Sequence, residues 1–298
     1  MPLAALIEHP EKTLTHWPTE PMLVKHDPRD FHQLLRLDEV NDLIDNECVP
    51  MRNLVLIKDG KVLERHTYAD PDGDMPQRGI VRQHLDEGGT ISLRQLQTVK
   101  PSLARLQQEI HQETGCLVHV NAYMTPPHNQ GLKYHYDPYV TLIVQLAGRK
   151  TWPLHRPVFE NPMKEHGNFL YRGFTPEERY HLANTPPEQS FTLEPGDVFW
   201  LPRGYVHSPY TEGDETSLHL TFALKERTRH WVAERLAVDI LGQALLDPAM
   251  RAEIQPAELT EDPRDAVKRA REYLIGALLT LDQDEQSKLV ARAARRLA

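Results

Sequence analysis

Cysteine is nearly absent: Cys48 and Cys116 are the only two in 298 residues. A disulfide-stapled scaffold is therefore excluded, and a reducing, cytoplasmic setting is the expectation. No apolar run approaches the roughly 18 residues that a membrane-spanning helix needs, so no membrane association is expected. The opening MPLAALIEHPEKTL lacks the charged start and long apolar core of a secretion signal. A basic surplus is missing too, since 34 Lys and Arg stand against 43 Asp and Glu, a net charge of −9. Such a balance disfavours wrapping phosphates, and no direct nucleic-acid binding is expected. There is no internal repeat, no low-complexity tract and no G-x-S-x-G nucleophile motif. What is present is an ordinary globular mixture, 40% apolar and 26% charged. The length allows two domains, or one large domain with an appendage, and is ample to bury a real core. The 16 histidines are what most needs explaining.

The chain changes character twice. Up to about Pro28 it reads as loop with one docked strand. Residues 30–46 carry Phe31, Leu34, Leu35, Leu37, Val40, Leu43 and Ile44 at mostly helical spacing, with Asp30 in the N-cap position. Asp59-Gly60 then joins two apolar runs as a hairpin turn, and residues 69–79 form a turn-rich surface loop. From Ser92 to Glu113 the spacing is helical again, interrupted by Pro101 and stopped by Gly115. Between Cys116 and Lys225 short apolar runs alternate with Pro and Gly turns, the pattern of a β-sandwich or barrel. Beyond it the spacing predicts helices at about 228–246, 263–281 and 284–297. The expected architecture is α+β, a β core with N-terminal helices, and it divides into residues 1–227 and a helical module, 228–298.

The chemistry concentrates in Tyr134-His135-Tyr136-Asp137. If these residues open a strand, positions two apart share a face, and His135 and Asp137 reach one metal together. The best-placed third ligand is His207 in LPRGYVHSP, after the turn Glu194-Pro195-Gly196-Asp197. Two imidazoles and a carboxylate on one face of an octahedral ion leave three positions open, which suits non-haem Fe(II) better than structural zinc. An H-x-D pair alone is common by chance. Its weight here comes from the apolar strand that it opens and from the two glycine turns before His207.

Three segments, NAYMTPPHNQGLKYHYDPYVTLIVQLAGRKTW, LEPGDVFWLPRGYVHSP and SLHLTFAL, together resemble the JmjC cupins of the ribosomal-oxygenase type. The resemblance implies a double-stranded β-helix, or jelly roll, and protein hydroxylation dependent on Fe(II), 2-oxoglutarate and O2. It assigns His135, Asp137 and His207 to the iron. It matches Lys150 to the cation that pairs with the distal carboxylate of 2-oxoglutarate, and a dianion in a narrow barrel needs such a cation. Asn121 and Tyr123 match polar residues of the same pocket. For Asn121 a structural role, its amide satisfied by backbone, stands equally open. Thr141 shares parity with His135 and Asp137 and is a further candidate for the co-substrate pocket, whereas His219 and Thr221 either line the barrel or pack. The helices after Lys225 suit a dimerising module and so imply a homodimer.

Substrate and outcome stay open on the sequence. The stretch after Lys225 is too short for both a dimerising module and the winged-helix domain of the ribosomal type. A modified natural-product precursor peptide therefore stands beside a ribosomal protein as the substrate. The alternatives are hydroxylation of a free amino acid or small molecule, and a non-catalytic metal-binding cupin scaffold. The remaining histidines, among them His84, His111, His155 and His166, read as solvated or capping residues. His128 and the acidic 211–215 tip read as exposed loop, and Trp152 and Trp200 as core.

Overall fold

The computed structural model describes residues 2–163 and 174–296. They divide into two compact units, Met1–Glu226 and Arg227–Ala298. Helices α1 (Pro10–Thr15), α2 (Leu37–Asp45), α3 (Ile80–Asp86), α4 (Pro101–Thr114) and α5 (Pro176–Asn184) belong to the first. Its strands are β1 (Met22–Lys25), β2 (Leu54–Lys58), β3 (Lys61–Val62), β4 (Thr90–Leu93), β5 (Leu117–Thr125) and β6 (Val140–Ala147). They continue as β7 (Lys150–His155), β8 (Gln189–Leu193), β9 (Asp197–Leu201), β10 (Val206–His207) and β11 (Ser217–Lys225). Eight form one sheet in the order β1-β9-β6-β11-β5-β4-β2-β3, and β10-β7-β8 form the second. All the pairings are antiparallel, which gives the α+β jelly roll expected from the sequence.

Alternation along the central strands fills both faces of the large sheet. On one face Leu142, Val144, Val198, Trp200, Leu220 and Phe222 join the larger apolar core. On the other, Ile143, Phe199 and Leu201 meet Trp152 and Leu154 of the small sheet. A two-sided sheet of this kind leaves β9 and β11 buried almost throughout. Each large apolar side chain taken from water contributes roughly 1.5–3 kcal/mol. The turn before β9 needs its glycine: Gly196 has φ +95°, and a Cβ there would lie 2.4 Å from the His26 carbonyl oxygen. The Asp59-Gly60 hairpin forms as expected, with φ 52° and 74° and Lys58 facing Lys61.

Several local expectations are corrected. The helix expected over 30–46 is only Leu37–Asp45, behind a 3₁₀ turn at Pro28–Phe31. Asp27, not Asp30, caps that turn by accepting the Arg29 N–H. Ser92 lies in β4, and Pro101 begins α4 rather than interrupting a helix; its fixed φ and missing N–H suit that first position. Gly115 ends α4 in the left-handed conformation, as expected. The 134–137 run does not open the strand: β6 starts at Val140, and His135 forms an isolated bridge with His207.

The second unit contains α6 (Arg229–Ala244), α7 (Pro256–Thr260), α8 (Arg264–Thr280) and α9 (Gln283–Ala294). Thr228 caps α6 through the Trp231 N–H, and Asp282 caps α9 through two N–H groups. Helix α6 packs on α8 and α9. The short α7 was not expected, and the part of the third expected helix that reaches residue 297 lies outside the described residues.

Candidate active site

His135 and His207 are partners in an antiparallel bridge. The His135 N–H donates to the His207 carbonyl at 3.1 Å, and the His207 N–H returns the bond at 2.8 Å. Each ring is then oriented locally. Nδ1 of His135 donates to the Lys133 carbonyl at 2.8 Å, and Nδ1 of His207 to the Tyr205 carbonyl at 2.9 Å. A proton on Nδ1 makes Nε2 the lone-pair nitrogen on both rings, the tautomer that binds a metal. Asp137 Oδ2 lies 3.8 Å from His207 Nε2, and one ligand atom from each of the three residues falls within 4.8 Å of the others. One ion at about 2.1 Å from each could draw them together.

Burial sets the protonation of the three. It lowers both imidazoles, His207 well below the ordinary histidine range with His135 as a second cause, and so keeps them neutral. It raises Asp137 against the opposing influence of His135, Tyr139 and Thr141. A half-buried carboxylate beside two neutral imidazoles is costly alone, and a cation offsets that cost. The donor set, two lone-pair nitrogens and one carboxylate, fits an Fe(II)-type ion.

The three side chains line one cavity together with Tyr123, Thr141 and Lys150. Lys150 is 1% exposed. Its Nζ donates to Thr125 Oγ1 at 2.7 Å, and no carboxylate pairs with it among the described residues. Burial alone brings its ammonium down to about 7. A buried cation without a counter-ion, in the same cavity as a metal-type donor set, is suited to a small dianion that also reaches the ion.

The other expected residues divide. Tyr123 lines the cavity, stacked on His219 with centroids 5.2 Å apart. Thr141 lines it as well, its Oγ1 3.5 Å from Asp137 Oδ2. Asn121 does not; its amide oxygen accepts the Gln95 N–H at 3.0 Å, the structural alternative left open for it. His219 and Thr221 both line the cavity, and Trp152, read as core, also lies on its wall beside His207. His84 on α3, His111 on α4 and His155 at the end of β7 are buried rather than solvated; His166 lies outside the described residues.

Sequence reasoning missed Thr125 and Thr90. Thr125 continues the 121, 123 parity of β5, a signal that was there to be used. Thr90 becomes visible only through strand register, which the helical reading from Ser92 concealed.

Residues 92–231 match the family model for the JmjC domain. The chain carries a JmjC domain. That domain holds the triad, Lys150 and the central strands. Among curated relatives, the chain is 28% identical over 293 residues to ribosomal oxygenase 2 of Rattus norvegicus, covering 91% of this chain and 57% of that protein. It is 26% identical over 215 residues to the bifunctional lysine-specific demethylase and histidyl-hydroxylase NO66 of Aedes aegypti, covering 72% of this chain and 32% of that protein. The chain thus spans between about a third and three fifths of these two relatives. The JmjC domain and its flanks also superpose on YcfD, a ribosomal oxygenase from Escherichia coli solved with cobalt and 2-oxoglutarate. The TM-score is 0.58 at 17% identity, covering 98% of this chain and 72% of that one.

Proposed function

We propose that the chain is an Fe(II)- and 2-oxoglutarate-dependent oxygenase that hydroxylates an amino-acid side chain in a protein or peptide. The observation that carries this reading is one cavity holding both a metal-type donor set and the buried, counter-ion-free Lys150. In the overall reaction, substrate C–H, 2-oxoglutarate and O2 give the C–OH product, succinate and CO2. The iron, when bound, supplies the oxidising chemistry at the C–H bond. In this reading His135, Asp137 and His207 would hold the ion, a three-ligand set that leaves positions for co-substrate and O2. Lys150 receives the distal carboxylate, and Tyr123 and Thr141 offer hydroxyls to the same molecule. Trp152, His219 and Tyr123 wall the cavity with rings and limit water.

A protein or peptide substrate is supported by the names of the curated relatives, a ribosomal oxygenase and a histidyl-hydroxylase. The helical unit, in this reading, pairs two copies of the chain, and its exposed apolar rows support that role. Cys48 and Cys116 are not joined by a disulfide. No described helix is long and apolar enough to cross a membrane.

The test is anaerobic reconstitution with Fe(II), followed by succinate formation from 2-oxoglutarate in air. It is run with and without a panel of ribosomal-protein fragments and basic peptides. Turnover stimulated by one member, with a gain on it of about 16 daltons, the mass of one oxygen atom, supports the reading. Absence of both iron binding and succinate overturns it in favour of a binding scaffold.

A further inference from the structure

Lys150 reaches across the barrel, from the small sheet to the large one, and what it meets there is itself supported. Thr125 Oγ1, fully buried, accepts from Lys150 Nζ at 2.7 Å and from the Thr90 hydroxyl at 3.1 Å. Thr90 is fixed in turn from outside the sheet. His84 on α3 places Nε2 at 3.1 Å from the Thr90 carbonyl and 3.1 Å from the Ile57 carbonyl. A nitrogen facing two carbonyls carries its proton, so one N–H is shared between both acceptors. Ile57 and Thr90 are register partners in β2 and β4, and both line the cavity. The ring has room because residue 89 is glycine: a Cβ there would lie 2.2 Å from His84 Nε2. Burial lowers the His84 imidazole against the two carbonyl bonds, which leaves it neutral and a single donor on that nitrogen.

We propose that His84, Thr90 and Thr125 are positioning residues for Lys150, fixing how deep in the cavity its ammonium sits and hence the chain length of the dicarboxylate that the site accepts. This rests on the oxygenase reading above. Lys150 has a long stem with several rotatable bonds, and its ammonium is a point charge without the directionality of a guanidinium. Its depth must therefore be set by what it donates to. Thr125 takes one of its three N–H groups and leaves the others for a carboxylate. Thr90 holds Thr125 by donating to it, and the His84 clamp keeps β4 in register with β2 so that Thr90 stays in place. The line runs from an outer helix to the cation through three side chains, none of which reaches the metal ligands.

The experiment measures binding of glutarate and its one-carbon-longer homologue adipate to the metal-free full chain by calorimetry. Glutarate has the two carboxylates but not the keto group, so it reports the cation end without iron. The same pair is then compared as keto acids, 2-oxoglutarate and 2-oxoadipate, with Fe(II) under anaerobic conditions. Thr125→Val is expected to weaken glutarate about tenfold or more, the scale of a hydrogen bond to a charged group. It should also narrow the preference for glutarate over adipate. Thr125→Ser restores both. His84→Leu produces the same change in preference at smaller size, about threefold, and His84→Gln, which keeps an N–H, restores most of it. Affinity for Fe(II) stays at the wild-type value in every variant. Folded Thr125→Val and His84→Leu proteins with unchanged affinity and unchanged preference would overturn the proposal, as would a parallel loss of Fe(II) affinity. If the wild type binds neither diacid nor keto acid, it is the oxygenase reading that fails.

Discussion

His135 and His207 exchange both backbone hydrogen bonds, at 3.1 and 2.8 Å, although neither belongs to a long strand. Their ring centroids are 4.2 Å apart. The backbone bridge, rather than the side chains, therefore fixes the pair, and it survives loss of either ring. His135→Ala, Asp137→Ala and His207→Ala are each expected to abolish succinate formation and lower Fe(II) affinity by at least about a hundredfold. Their thermal stability without metal should match or exceed that of the wild type, because each substitution removes a polar group whose charged form burial disfavours. Iron titration and thermal unfolding on the same preparations check this; His207→Ala with wild-type turnover would remove it from the set.

Lys150 gives the site a pH dependence of definite sign. Its ammonium sits at about 7 in the unliganded protein because burial disfavours charge. A carboxylate placed against it favours the charged form and raises that value. Between about 7 and the raised value, binding of 2-oxoglutarate must take up a proton, and affinity falls with rising pH by up to about tenfold per unit. Calorimetry at pH 8 in buffers of different ionisation heat should show close to one proton taken up; none taken up would mean that Lys150 is already charged.

The same residue opposes folding. Unfolded, a lysine titrates near its model value of 10.5; folded, Lys150 titrates near 7. Between those values the unfolded chain holds the extra proton, so stability rises with pH across that window and the burial penalty is full below 7. Lys150→Met, which keeps the apolar stem, should raise the melting temperature of the metal-free protein at pH 6 by several degrees and by less at pH 9. It should also abolish binding of 2-oxoglutarate. A variant that is less stable than the wild type at pH 6 would show Lys150 to be a structural cation.

Much of the barrel was legible because its strands are short, apolar and separated by Pro and Gly turns that have few other uses. The triad was legible for a partly different reason than the one first applied. His135 and Asp137 were placed by strand alternation, but they lie in the loop before β6, and a bridge to β10 brings His135 to His207. Lys150 required the resemblance, since one lysine at a strand start carries no signal of burial. Thr90 and His84 were illegible because their roles depend on the β2–β4 register and on the space left by Gly89. Asn121 shares parity with Tyr123, yet it sits earlier in β5, where its amide oxygen accepts the Gln95 N–H.

The helical unit presents the clearest unsatisfied surface. On α6 and its C-cap, Val238, Leu241 and Leu245 follow one another at helical spacing and are 58%, 56% and 69% exposed. On α8, Ile275, Leu278 and Leu279 are 50%, 52% and 81% exposed. Scattered apolar side chains on a surface are ordinary, but rows on two helices are the mark of a covered face. A second copy of the chain supplies a matching face at no cost in new sequence, and a two-fold interface brings each row to its own counterpart. A stable interface buries about 1,600 Å² in total, so two charges introduced into it are not tolerated. Light scattering at micromolar concentration is expected to give the mass of a dimer for the wild type and of a monomer for Leu241→Glu with Leu278→Glu. Circular dichroism should be unchanged, because both positions are exposed in the single chain and glutamate is a good helix former. A wild-type protein that stays monomeric under those conditions would leave the rows to another partner.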